Sequence, residues 1–194
     1  KVAWQIYTVD SNNKPVKNIH FKSLIDLLDT DPILTLKGGE PLLNKQNEEL
    51  FDLLILSEKI SDVELRLITN GTILPQWFLV SLPLFKSVNI TFSIDGAGDL
   101  NQYIRNGNYT NHDLKKNLDK ILMMRPDTIL VISTAFQIYN MLSYAEIVRE
   151  FLPWTDIFEV TPAHNYQLNS QIAPDIIKGI ATERILDLLV EIKS

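Results

Sequence analysis

Four short segments hold most of the groups in this chain that can do chemistry. Gly38-Gly39-Glu40-Pro41 closes the run Ile33–Lys37. Thr69-Asn70-Gly71-Thr72 and Ser93-Ile94-Asp95-Gly96 close two further apolar runs, and the fourth segment, Thr134 to Asn140, contains Gln137. Paired glycines at a strand end let a ligand approach the backbone with no Cβ in the way, and they tolerate positive φ. A carboxylate just beyond them, Glu40, can accept charge-assisted hydrogen bonds from a ligand ammonium, while Pro41 fixes the direction in which the chain leaves. The same residues also read as a Gly-Gly turn before a helix, with Glu40 favouring the helix N-terminus electrostatically. Asn70-Gly71 and Asp95-Gly96 can equally be turn dipeptides. Taken alone, Arg105 reads as a loop cation. His164, in "TPAHNY", reads as a loop residue or a substrate-site acid or base, and His20 and His112 as surface or capping residues. Trp4, Trp77 and Trp154 read as packing anchors. No Walker loop is present, because neither glycine-rich segment ends in Lys-Ser/Thr.

The elements that must position these groups alternate. Strand-like runs at 33–37, 63–69, 87–95, 128–136 and 157–162 are separated by helix-like runs at 47–60, 74–85, 111–124 and 143–152, and 174–193 closes the chain as one helix or two, with Gly179 as the weak point. Asn111 is a candidate N-cap, and Ser143 with Glu146 a candidate capping box. Such alternation, with helices long enough for crossovers, predicts an α/β fold with a parallel sheet, either open and doubly wound or a partial (β/α) barrel. In both, ligands sit at the carboxyl ends of the strands, where the four segments fall. In "SVNITFSID", Val88, Ile90, Phe92 and Ile94 share one face and Asn89, Thr91, Ser93 and Asp95 the other. A strand covered by helices on both faces reads as apolar throughout. The polar faces here fit either a wet barrel lumen or edge strands turned to water.

Composition narrows the class. The chain has 194 residues, is 45% hydrophobic and 22% charged, and carries a net charge of -6. That is ordinary globular composition, and the acidic balance argues against a nucleic-acid partner. No apolar run approaches the ~20 residues that span a bilayer, and "KVAWQIYTVD" does not read as a signal peptide, so a cytoplasmic location is expected. The missing initiator Met suggests a piece of a longer protein. There are no cysteines, which removes disulfides, thiolate metal sites and cysteine nucleophiles from these residues.

"LTLKGGEPLL" resembles the GGEP segment of the radical S-adenosylmethionine (radical SAM) enzymes. "LITNGT" resembles that family's third-strand end, and "ITFSIDGAG" its fourth. "YIRNGNY" resembles the Arg-containing segment of members with twitch or SPASM extensions. The four segments follow in order over roughly residues 33–140; Lys37 departs from the commoner Thr, Ser or Gln. The resemblance implies a partial parallel (β/α) barrel, beginning here near the end of the first helix. It makes the chain a single domain in which 1–30 is the remnant of that helix and its approach, and 31–194 supplies strands two to six. It further implies that Gly38, Gly39 and Glu40, with Pro41 closing the turn, hold the ammonium of S-adenosylmethionine. Ser93 would contact the carboxylate or ribose, and Arg105 would pair with the carboxylate, which its planar fork suits. Asn70 and Asp95 would line the same cavity, joined from the fifth strand by Gln137 and Asn140.

Family chemistry also implies a [4Fe-4S] cluster held by three cysteines of a CxxxCxxC loop after the first strand, an electron donor, and a small-molecule or peptide substrate attacked by a 5′-deoxyadenosyl radical. With no cysteine present, this chain is expected to supply the S-adenosylmethionine contacts but no cluster ligands, and to be inert alone. On this reading the first strand and cysteine loop lie before Lys1. The alternatives are a non-catalytic remnant of the barrel serving as a ligand- or partner-binding scaffold, and an unrelated α/β metabolic domain.

Overall fold

A computed structural model describes residues 3–7, 32–163 and 168–193. Apart from residues 3–7, the stretch 1–30 proposed as the remnant of the first helix and its approach lies outside the described residues, as do His20 and His164. Two compact units emerge: Lys1–Phe92 with Lys116–Leu130, and Ser93–Lys115 with Val131–Ser194.

In the first unit, β1 (Ala3–Tyr7) pairs in parallel with β2 (Ile33–Lys37), β2 with β3 (Glu64–Thr69), and β3 with β4 (Ser87–Ser93). Strand β1 corrects the expectation that the chain begins near the end of a first helix: a strand precedes β2 inside these residues, and Tyr7 aligns with Lys37. "AWQIY" is rich in strand-favouring Trp, Ile and Tyr, but five residues between the chain start and a polar tract are too few for periodicity to reveal them. Helix α1 (Lys45–Leu56) connects β2 to β3, and α2 (Gln76–Ser81), extended by a 3₁₀ turn at Leu82–Leu84, connects β3 to β4. The apolar faces meet in one core containing Leu36, Leu65, Leu67, Ile90 and Phe92, each at most 1% exposed. Phe51 is its aromatic hub, with ring centroids 5.1 Å from Trp77 and 5.0 Å from Phe85; Trp77 is a packing anchor, as expected.

Helix α3 (Asp99–Arg105) occupies a stretch read as loop, and α4 (Asn111–Met124) follows it. At the far end of α4, Arg125 is 8% exposed, and its guanidinium donates to the carbonyls of Leu82, Phe85 and Lys86 and to the Asp127 carboxylate. In the second unit β5 (Ile129–Phe136) pairs in parallel with β6 (Phe158–Pro162), joined through α5 (Tyr144–Phe151), and the chain closes with α6 (Asp175–Lys193) as one helix running through Gly179. The capping box at α5 does not form. Ser143 makes no side-chain cap, and Glu146 Oε2 is buried without a hydrogen-bond partner among the described residues. The polar strand faces divide. That of β4 is half-buried, whereas Glu159 and Thr161 of β6 face water with Val160 and Pro162 beside them, as in an edge strand.

Candidate functional site

The carboxyl ends of β2, β3 and β4 are aligned by their pairing, which runs Leu36 with Leu67 and Thr69 with Phe92. The expected residues appear as two constellations, one in each unit.

In the first unit, Glu40 is half-buried and caps the 3₁₀ turn Pro41–Leu43. Its Oε1 accepts from the Thr69 hydroxyl (2.6 Å) and the Leu42 N–H (3.4 Å), and its Oε2 from the Asn70 N–H (2.9 Å). The bland reading of Glu40, as a carboxylate at a turn, is therefore part of the truth. It also ties the end of β2 to the end of β3, which fixes its orientation. Every donor to it among the described residues is neutral. A carboxylate has about four lone-pair sites, so Oε2 keeps room for another donor. Gly38 (φ +91°) and Gly39 (φ +58°) precede it, and a Cβ built on either meets nothing within 4 Å among the described residues. The positive φ explains why glycine stands there, and the open space is where a ligand can approach. Asn70 is a turn residue: its Oδ1 accepts from the Thr72 N–H (2.9 Å) and hydroxyl (2.8 Å). Buried Asn47 and Asn117 hold the Pro41 carbonyl (2.8 Å) and the Gly71 carbonyl (2.8 Å).

In the second unit Asp95 is 6% exposed, and its Oδ2 receives Arg105 Nη1 at 2.5 Å while Oδ1 accepts from the Ala135 N–H (2.8 Å). Arg105, expected to face a ligand carboxylate, thus already has an anion beside it; Nε and Nη2 keep the edge that an incoming anion can meet. Asn140 is fully buried. Its Nδ2 donates to the carbonyls of Asp95 and Ala135 (both 2.9 Å), and its Oδ1 accepts from the Gln137 N–H (2.8 Å), so it staples the segment after β4 to the end of β5. Ser93 is half-buried and Gln137 is buried. The sequence reading missed three members of this network. Asn101 Oδ1 accepts from the Asp95 N–H (2.9 Å), and its Nδ2 donates to Asn111 Oδ1 (2.9 Å). Asn111 Nδ2 in turn reaches the Gly96 carbonyl and Glu150 (3.0 Å each). Asn111 is thus a network residue rather than an N-cap; the cap is formed by Thr110 with Asp113. Gly96 is required, since a Cβ there would collide with the backbone of Leu100 and Asn101. Burial disfavours the Glu150 carboxylate, but Lys115 at 2.9 Å, the Gly98 N–H and Asn111 outweigh it and hold its pKa below the usual 4.5.

Known structures fit this arrangement. Native anSMEcpe with bound AdoMet superposes with a TM-score of 0.61 at 12% identity over 95% of this chain and 55% of that one. The fold resembles that of a radical SAM enzyme. The same protein with bound AdoMet and the Cp18Cys peptide gives a TM-score of 0.56 at 14% identity over 77% and 45% of the two chains, and its histidine-tagged form with AdoMet gives 0.57 at 15% over 77% and 42%. The present chain therefore spans about half the length of these radical SAM structures. No family model matches it, and no curated protein does. Its parallel strands and connecting helices are those of a partial β/α barrel.

The residues fit S-adenosylmethionine and an iron–sulfur cluster unequally. Open glycines and an oriented carboxylate suit the ligand's ammonium. The cluster needs thiolates, and the segment following β1 on the way to β2, residues 8–32, contains no cysteine; nor does the rest of the chain. Among the described residues no group of three or more His, Asp or Glu converges as an alternative metal site. These residues do not fit the cluster.

Proposed function

We propose that this chain is an S-adenosylmethionine-binding domain of radical SAM type, in which Glu40 receives the ligand's ammonium. The observation that carries this reading is the Glu40 carboxylate. It is held in place by Thr69 and Asn70, beside two glycines whose missing side chains leave room among the described residues. Neutral donors orient the carboxylate without cancelling its charge, so an ammonium arriving over Gly38-Gly39 gains a charge-assisted bond at little reorganisation cost. That the solved neighbours hold AdoMet supports the same assignment. Reductive cleavage of the ligand, an electron donor and a substrate, peptide or small molecule, belong to this protein only if thiolates come from outside these residues. With the segment after β1 free of cysteine, the scaffold reading gains: the domain binds its ligand and does not cleave it. A cytoplasmic location is part of the same proposal; no described helix is long and apolar enough to cross a membrane.

Calorimetry with S-adenosylmethionine tests the assignment. Saturable binding that falls about tenfold or more in Glu40→Gln, the equivalent of one charge-assisted hydrogen bond, is the expected result. Absence of binding in the parent protein, or equal binding in the variant, overturns it. Cleavage of the ligand by these residues alone overturns the scaffold reading.

A further inference from the structure

Helix α3 presents two faces with different surroundings. Asn101 and Arg105, one turn apart, turn to Asp95. Asp99, Gln102, Tyr103 and Asn106 follow the i, i+3, i+4, i+7 spacing of one helix face, and they line a cavity of about 680 Å³ in the second unit. Gln137, Tyr139 and Asn108 complete its polar and aromatic wall. The volume falls within the roughly 300–1,000 Å³ typical of small-molecule sites.

Three observations specify an occupant. Gln137 is only 4% exposed and lines the cavity. Its carboxamide offers two donors and an acceptor. Gln102, Asn106 and Asn108 add three more carboxamides, each likewise offering both donors and an acceptor. Tyr103 and Tyr139 are 70% and 53% exposed, and their rings meet edge to face at 6.1 Å and 79°, forming an aromatic corner. Among the described residues the lining contains no Lys or Arg, and its one charge is the Asp99 carboxylate.

We propose that this cavity binds a neutral saccharide. Hydroxyl groups both donate and accept, as carboxamides do, so a polyhydroxylated ring can pair with Gln137 and its neighbours at once. A carboxylate can accept from two adjacent hydroxyls, and the C–H face of a sugar ring packs on tyrosine. The Asp99 carboxylate, with no Lys or Arg in the lining among the described residues, disfavours phosphorylated or acidic ligands. None of these residues takes part in the ammonium contact at Glu40, and the proposal does not depend on that contact.

The test is calorimetry and saturation-transfer NMR on the full chain with glucose, N-acetylglucosamine and maltose. Glucuronic acid and glucose 6-phosphate serve as anionic comparisons. At least one neutral sugar should bind saturably in the millimolar range, the anionic analogues more weakly. Tyr103→Ala, at an exposed position, should lower sugar affinity about tenfold and leave S-adenosylmethionine binding unchanged, while Glu40→Gln should do the reverse. No saturable binding by any neutral sugar overturns the proposal. So does binding that survives both Tyr103→Ala and Gln137→Leu in samples with parental melting temperature, and so does displacement of the sugar by S-adenosylmethionine.

Discussion

Glu40 and Asp95 each lie just past a strand's carboxyl end, and each ties its own segment to a neighbouring strand end. Their electrostatic states differ. Asp95 is buried and has a guanidinium at 2.5 Å, a backbone N–H on its other oxygen, and Asn140 and Asn101 bracing its own backbone. Its charge is compensated inside the protein. Glu40 is half-buried and accepts only from a hydroxyl and two backbone N–H groups among the described residues. Its direction is fixed, and none of these donors compensates its charge. A carboxylate that already has its cation is mainly structural. One oriented by neutral groups, next to open space, is prepared for a cationic partner.

The comparison breaks most sharply if the Asp95 network proves dispensable. Arg105→Ala leaves a buried carboxylate without its cation and should destabilise the protein by about 3 kcal/mol, read as a shifted midpoint in denaturant. Gly96→Ala should cost a similar amount, about 2–3 kcal/mol, because the new methyl meets α3 backbone that cannot move aside. If Arg105→Ala instead leaves the midpoint in place, Asp95 is no more structural than Glu40.

Glu40→Gln tests the other half. Its oxygen can accept from the Asn70 N–H while its NH2 group donates to the Thr69 hydroxyl oxygen, so stability should change by less than about 1 kcal/mol, while ligand affinity drops as stated above. A large loss of stability without a loss of binding would place Glu40 beside Asp95 as a structural residue. Gly39→Ala sharpens the same point. At φ +58° the methyl costs about 1 kcal/mol, and it fills the approach route, so binding should weaken more than folding does.

The smallest effect concerns Glu150. Its carboxylate is held below 4.5, so its contribution to stability is complete above that value and is lost as pH falls through the lowered folded pKa. Thermal melts below about pH 4.5 should decline less steeply in Glu150→Gln than in the parent. Parallel declines would show that Lys115 and Asn111 do not favour the charged form.

Much of the architecture is legible in the sequence because alternation and helical spacing are local. Strands β2 to β6 follow from it, as does helix at α1, α2, α4, α5 and α6. The features that escape are short or non-local. Strand β1 is five residues, and α3 is seven residues in a stretch rich in Gly and Asn. The carboxamide network escapes because it links Asn101, Asn111 and Asn140, which are separated in the chain and individually ordinary as turn or cap residues.

By itself, the sequence determined that a parallel α/β fold would bring Gly38-Gly39-Glu40, Asn70 and Asp95 to strand ends, since periodicity and turn chemistry are properties of neighbouring residues. It also determined that these residues hold no thiolate. Tertiary structure decided what each group is for. Whether Arg105 faces a ligand or Asp95, and whether Gln137 braces the site or waits in a cavity, depends on which residues from distant segments stand within about 3 Å. Charge compensation and burial are set there, after the chain has folded.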